Sequence, residues 1–310
     1  MSRFHLALNL INDTNDYQRS IRVDAMEAAA RFGYSLETHY ANGDVAEQIR
    51  QLYSCVNRPV EQRPSAVMLF PVRDGSFEYV LRDVARAGID VVVLNRRPDY
   101  LETLRTEFPN VALGTVGPDQ IEGGRIQGRQ TRALLPQGGF VLYVMGPFLA
   151  SATRDRRAGF LEVLSGAGID HAQVHGDWSE GAAEHSVGQW LRLVMLSAIR
   201  LDLIVCQNDA MAGGARRALV EAARTMGRPK LAKVPLLGFD GHPDVGQKLV
   251  ASGELAATVI QKVTGKPAVE WIAGRASGQP LPLDVVLPLT AFPDASQLAR
   301  STAGSATVSV

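Results

Sequence analysis

"LDLIVCQNDAMAGG", residues 201–214, sets an apolar run, Leu203 to Cys206, directly against Gln207, Asn208 and Asp209, with alanines and glycines behind them. A short apolar run bounded in this way reads as a buried strand, and the small residues after it as a helix packed closely behind. In parallel α/β sheets, ligands bind beyond the carboxyl ends of the strands, where each strand turns into its helix. The polar trio therefore either caps the helix or lines a site.

The same alternation fills the chain, as in doubly wound, mostly parallel sheets. Strands are predicted at Phe4–Ile11, Leu36–Tyr40, Ala66–Phe70, Val91–Leu94 and Val111–Leu113, with helices over 17–32, 45–56, 75–87 and 119–134. A second series follows at Phe140–Val144, Gln173–His175, Leu203–Cys206, Leu236–Gly238 and Ala256–Ile260, again with helices between. A helix over 265–276 precedes "GQPLPLDVVLPL" (278–289), whose prolines suit a crossing segment or an edge strand. The closing "STAGSATVSV" is small, polar and aperiodic, and reads as a loose end.

Bulk properties agree with two lobes. The chain has 310 residues, 46% of them hydrophobic and 21% charged, and a single core stops growing at roughly 250–300 residues. Lys+Arg and Asp+Glu both number 32, so overall charge recommends neither nucleic acid nor an anionic membrane as partner. Cys55 and Cys206 belong to no metal-spaced or redox pair and read as reduced core thiols. No window reaches the roughly 18 uninterrupted apolar residues of a membrane span; "WLRLVMLSAIRLDLIV" carries Arg192, Arg200 and Asp202. At the N-terminus Asn9 interrupts the apolar stretch and no small-residue cleavage site follows, so it reads as a first strand rather than a signal peptide.

What stands at the strand ends is more informative than any single motif. "NDTNDYQ" (12–18) follows the first strand and "NRRP" (95–98) the fourth. In the second half come "MGPFLASATRDRRAGF" (145–160), "GDWSEG" (176–181), "QNDAMAGG" (207–214), "GFDGHPD" (238–244) and "TVIQK" (258–262). Capping explains some of these residues: Asp209, Ser151 or Thr153 would each serve as a helix N-cap. Asn, Asp, Arg, Gln and Trp at so many corresponding ends exceed what capping needs. They suit a polyol, whose adjacent hydroxyls donate to carboxylates and accept from Arg while an aromatic face covers the apolar side of a sugar ring.

On these segments, above all "LIVCQNDAMAGGARRAL" (203–219), "PLLGFDGHPDVGQKLVASGELAATVIQ" (235–261), "SATRDRRAGF" (151–160) and "VVVLNRRP" (91–98), the chain resembles the type I periplasmic sugar-binding proteins of the ribose and galactose kind, and the effector-binding core of the lac-repressor family. The resemblance spans roughly residues 4 to 290. It implies two doubly wound, Rossmann-like parallel-sheet lobes joined by three crossing segments, with ligand held between them. The N-terminal lobe would comprise 1–117 and 262–282, the C-terminal lobe 118–261 and 283–302, and 303–310 would be a flexible tail. The hinge would cross near Gly117 to Asp119, Gln261 to Lys262 and Pro282 to Asp284.

Carried onto this chain, the family's ligand-binding positions fall on Asn15, Asp16 and Tyr17 in the first loop, on Asn95 and Arg96 after the fourth strand, and on Arg154, Trp178, Asn208, Asp240 and Gln261. Asp240 would accept from two hydroxyls or form a turn. Trp178 would stack on the ring or pack in the core. Arg96 and Arg154 would donate from opposite lobes or form salt bridges, and Arg97, Arg156 and Arg157 read as solvated. Two departures tell against ribose itself: Asn95 stands where ribose binders often have Asp, and Phe70, near Arg73, where a polar residue is common.

Motifs for catalysis are missing. No G-x-S-x-G occurs, no P-loop and no G-x-G-x-x-G after a strand. His171 and His175, in an extended segment, would stand roughly 13 Å apart at about 3.3 Å per residue, too far to share a metal. The reading is a non-catalytic binding protein, without cofactor or metal, whose ligand shifts an open–closed equilibrium. As the substrate-binding component of a sugar ABC transporter it would be periplasmic, its export signal removed, with a membrane permease as partner. As a sugar sensor it would be cytoplasmic, signalling to a regulatory protein such as a kinase. An enzyme of the same fold is the third reading. Only Met1 to Arg3 precede the first strand, so the helix-turn-helix of a repressor, and with it direct nucleic-acid binding, is not expected; nor is membrane insertion.

Overall fold

The computed structural model describes residues 4–14, 16–194 and 200–306. In chain order the elements are β1 (His5–Leu10), α1 (Asp16–Arg31), β2 (Ser35–Tyr40), α2 (Val45–Val56), β3 (Ala66–Leu69), α3 (Glu78–Arg86), β4 (Asp90–Leu94), α4 (Tyr100–Glu107), β5 (Leu113–Pro118), α5 (Gln120–Leu134), β6 (Gly139–Met145), α6 (Ser151–Leu164), β7 (Ile169–His175), α7 (Glu180–Val194), β8 (Leu203–Cys206), α8 (Asp209–Thr225), β9 (Leu236–Leu237), α9 (Gly246–Ala251), β10 (Thr258–Gln261), α10 (Gly265–Ala276), β11 (Asp284–Leu287), β12 (Leu289–Phe292) and α11 (Ala295–Ala306). No described helix is long and apolar enough to cross a membrane.

The chain forms two compact units, Met1–Pro118 with Lys262–Leu287, and Asp119–Gln261 with Pro288–Val310. The first holds a parallel sheet of order β11-β5-β4-β3-β1-β2. Its period of two sends Leu6, Leu8 and Leu10 into a core beneath α1 and α10, and Ala7 with Val67, Leu69, Val91 and Val93 into another beneath α2, α3 and α4. The second holds a parallel sheet, β7-β6-β8-β9, and an antiparallel pair, β10 with β12. Leu142, Val144, Ile204 and Cys206 pack under α7 and α8, and Val141, Tyr143, Leu203 and Val205 on the other face beside Phe160 of α6. In each sheet the strand order reverses beside its first strand, at β1/β3 and at β6/β8, and it is beyond such switch points that open α/β sheets bind ligands.

Helices α5 and α6 approach unusually closely. A Cβ on Gly124 would lie 1.9 Å from the Arg156 carbonyl oxygen, and one on Gly159 would lie 1.9 Å from that of Ile121. From the same helix Gln127 donates to the carbonyls of Cys206 and Gly238, and Gln130 to those of Thr258 and Pro293. Buried amides thus satisfy carbonyls at the ends of several strands, groups that would be costly to leave unpaired.

Three details differ from the sequence reading. The fifth strand starts at Leu113 rather than Val111, because Val111 closes a turn onto the Phe108 carbonyl and the Ala112 N–H is taken by Asp90. The N-terminal unit ends at Leu287 rather than 282: Asp284–Leu287 pairs in parallel with Thr115–Pro118, so the segment with the prolines ends in an edge strand of the first sheet. At the C-terminus, residues 303–306 finish α11, which Leu298 anchors in the core, instead of belonging to a loose tail; 307–310 lie outside the described residues.

Candidate functional site

In the first unit the loops after β3 and β4 and the start of α1 carry the candidates. Asn95 follows the last residue of β4 with φ +56°, a left-handed conformation that asparagine tolerates better than most residues. Gly117 allows that turn, since a Cβ there would come within 2.8 Å of the Asn95 Cα. Asn95 Nδ2 donates to the Tyr17 hydroxyl at 2.9 Å, and that hydroxyl donates to the Lys262 carbonyl at 3.1 Å. Arg96 is buried: Nη1 donates to the Asn95 carbonyl at 3.0 Å, Nε stands 3.2 Å from Asp74 Oδ1, and the guanidinium lies 5.0 Å from the Phe70 ring centre.

Of the neighbouring first-loop candidates, Asp16 does not join this group. Asp16 is half exposed and pairs with Arg19, one helical turn along, instead of turning toward Tyr17 and Asn95. Asn15 lies outside the described residues. Asp74 and Phe70, neither of them among the residues singled out as ligand-binding, are what hold Arg96 in place. The signal in the sequence was the aromatic and charged "FPVRD" (70–74) at a strand end.

In the second unit the guanidinium of Arg156 lies 3.5 Å from the Phe239 ring centre and 5.6 Å from that of Trp178. Arg156 Nε donates to Gln120 Oε1 at 2.7 Å and Nη1 to the Gln207 carbonyl. The solvated reading of Arg156 is therefore wrong: it is 4% exposed. Arg154, named in its place, has a side chain 65% exposed and paired with Asp155 at 2.9 Å. The helical period explains the exchange, because Arg156 falls on the inner face of α6 with Ala152, Gly159 and Phe160, and Arg154 does not.

Trp178, at φ +60°, lies half-buried on the loop after β7, so close to the start of the loop after β6 that a Cβ on Gly146 would meet its ring at 2.3 Å. Its carbonyl accepts from Asn208 Nδ2 at 3.1 Å. Asn208 is itself the N-cap of α8, its Oδ1 accepting from the Met211 N–H at 2.8 Å. Asp209 is thereby relieved of capping and has another task. Its buried carboxyl accepts from the Gly241 N–H at 2.8 Å and the Thr258 hydroxyl at 2.7 Å, tying α8 to the loop that carries Asp240. Burial first, and the neighbouring Asp240 charge second, push the Asp209 pKa up to about 8.

Asp240, at φ +106°, accepts from Gln261 Nε2 at 2.6 Å. Gln261 is buried, and its Oε1 has no hydrogen-bond partner among the described residues. Gln207 supports the group, its Oε1 accepting from the Gly146 N–H and its Nε2 donating to the Tyr143 hydroxyl and the Thr153 carbonyl. Among the described residues five non-glycines have positive φ, and three of them, Asn95, Trp178 and Asp240, are candidate ligand residues. Such conformations persist where the surroundings over-determine them, commonly at binding sites.

Two parallel sheets wound on both faces, each presenting amide, guanidinium, carboxylate and aromatic groups at its carboxyl edge, define the class of the type I solute-binding proteins. The chain belongs to the periplasmic binding protein domain family, whose model matches residues 6–279, and within it to the type I sugar-binding proteins. It is similar to the xylitol-binding protein of Mycolicibacterium smegmatis, 30% identical over 238 residues that cover 76% of this chain and 60% of that relative. It is also similar to the ribose import binding protein of Salmonella typhimurium, 25% identical over 264 residues, covering 84% and 80%. Among solved structures, a solute-binding protein of Bacillus halodurans with bound myo-inositol aligns with a TM-score of 0.81 at 21% identity, covering 98% of this chain and 99% of that one. The fructose-binding periplasmic domain of a hybrid two-component system aligns with a TM-score of 0.80 at 19% identity, covering 99% and 96%.

Proposed function

We propose that this protein binds a monosaccharide or small polyol without turnover and serves as the substrate-binding component of a sugar ABC transporter. The observation that carries the reading is the group in the second unit: the indole of Trp178 beside the guanidinium of Arg156, and the Asp240–Gln261 pair whose buried amide oxygen has no protein partner among the described residues. A ring with an apolar face and a rim of hydroxyls meets those demands together, stacking on the indole and donating to the carboxylate and the amide oxygen. Asn95 and Arg96 present the same kinds of group at the carboxyl edge of the first sheet. The xylitol-binding and ribose import binding relatives support this ligand class.

Ligand binding favours a closed form, because a ligand shifts a conformational equilibrium by the difference between its affinities for the two states. A membrane permease in contact with the periplasm then reads that closed form. Small-angle scattering with and without saturating ligand tests this: a smaller radius of gyration with ligand, and recovery of the ligand unchanged after prolonged incubation, is the expected result. An unchanged radius, or conversion of the ligand, contradicts it.

A further inference from the structure

A buried guanidinium needs a compensating partner, and the nature of that partner limits which ligand it can also serve. In the first unit the partner of Arg96 is a full negative charge. Asp74 stands in a single 3₁₀ turn, Asp74–Ser76, just after β3, and Arg96 just after β4, so the ion pair bridges adjacent strand-end loops at the sheet's carboxyl edge. The two side chains are 6% and 9% exposed, Arg96 and Asp74 respectively. Phe70 covers the guanidinium, and the Asn95 carbonyl accepts from Nη1. The positive charge of Arg96 is thus already answered inside its own unit.

This arrangement distinguishes two kinds of ligand. A hydroxyl accepts from a guanidinium and donates to a carboxylate, so an uncharged polyol fits beside the pair without disturbing it. A ligand carboxylate accepts only, and would bring a second negative charge near Asp74 in a poorly solvated place. In the second unit Arg156 donates to the side-chain oxygen of Gln120 and to the Gln207 carbonyl beneath the Phe239 ring, while the carboxylate of Asp240 accepts from Gln261.

We propose that Asp74 is a specificity-determining residue which, by neutralising Arg96, restricts the ligand to uncharged sugars and polyols and rejects sugar acids. This rests on the sugar-binding reading above. Calorimetric titration with matched pairs that differ by one carboxylate, xylitol against xylonate and glucose against glucuronate, tests it in the intact protein. For a pair whose neutral member binds, the wild type is expected to prefer that member by at least about 100-fold. Asp74→Asn is expected to shrink the preference to about tenfold or less through a gain for the acid, a gain that added salt erodes. Asp74→Glu keeps the charge and should keep the preference. Arg96→Gln, should Asp74→Asn fail to fold, leaves Asp74 unanswered and should weaken the acids further.

A wild type that binds the acid as tightly as its neutral partner overturns the assignment while the sugar-binding reading stands. An unchanged ratio in a folded Asp74→Asn does the same. No binding by any neutral or acidic member removes both.

Discussion

Asn208 joins the first turn of α8 to the aromatic wall of the second unit: its Oδ1 accepts from the Met211 N–H while its Nδ2 donates to the carbonyl of Trp178. One amide therefore does two separable things. Asn208→Asp retains a capping oxygen and loses the donor to Trp178, whereas Asn208→Ala loses both. We expect Asn208→Ala to lower stability in urea unfolding by about 1–2 kcal/mol, and Asn208→Asp to lower it less. Both should weaken sugar binding, because both lose the donor that holds the Trp178 carbonyl.

The exchange of roles between Arg154 and Arg156 leads to a paired experiment. Arg154→Ala removes an exposed side chain in a salt bridge and should leave affinity and stability nearly unchanged. Arg156→Lys keeps the charge but cannot form the same fork to Gln120 and Gln207, and should cost about 1.5–3 kcal/mol of stability and most of the binding. Calorimetric titration of the two variants side by side decides it; equal losses would place Arg154 in the site after all.

Asp209 predicts a pH dependence with a definite sign. Its pKa in the folded protein, about 8, lies above the roughly 3.9 of an exposed aspartate. Between those values the folded protein keeps the proton and the unfolded chain does not, so stability falls as pH rises through the window and levels off above it. The slope reaches at most about 1.4 kcal/mol per pH unit. Asp209→Asn replaces an acceptor facing the Gly241 N–H and should be less stable at low pH, yet its stability should change less from pH 5 to pH 9. Parallel curves for the two proteins would mean that Asp209 is ionised in the fold.

Close packing of α5 on α6 gives a prediction independent of any ligand. Alanine at Gly124 or Gly159 puts a methyl 1.9 Å from a backbone carbonyl oxygen of the facing helix, and neither backbone can yield without moving the helix. Each substitution should lower stability by about 1–3 kcal/mol or more in chemical denaturation. Arg156 lies on α6, so the same variants should also bind sugar more weakly.

The alternation of short strands and helices in the sequence contains the two-unit fold, because a strand buried on both faces leaves a bare apolar run such as Leu203–Cys206 and few other elements do. Strand ends were legible as places where polar residues gather. Which of those residues turn inward was not. Arg154 and Arg156 sit two apart on one helix, and their difference lies in the helical face they occupy, which depends on what α6 packs against. Asp209 and Asn208 are adjacent, and either fits the capping rule; the choice follows from tertiary partners, Gly241 and Thr258, that lie far along the chain. Nothing local marks Asp74 as the partner of Arg96, and the positive φ of Trp178 leaves no trace in a residue type that usually avoids it.

A thermal-shift screen of the wild-type protein against pentoses, hexoses, deoxy sugars, inositols, alditols and sugar acids shows whether the strand ends hold a neutral sugar or polyol. A ligand at one hundred times its dissociation constant adds about 2.7 kcal/mol of stability, a shift well above the noise of such a screen. We expect one or a few related uncharged compounds to raise the melting temperature, with the acids silent. A panel in which no sugar or polyol moves the transition, at concentrations up to tens of millimolar, would contradict the account.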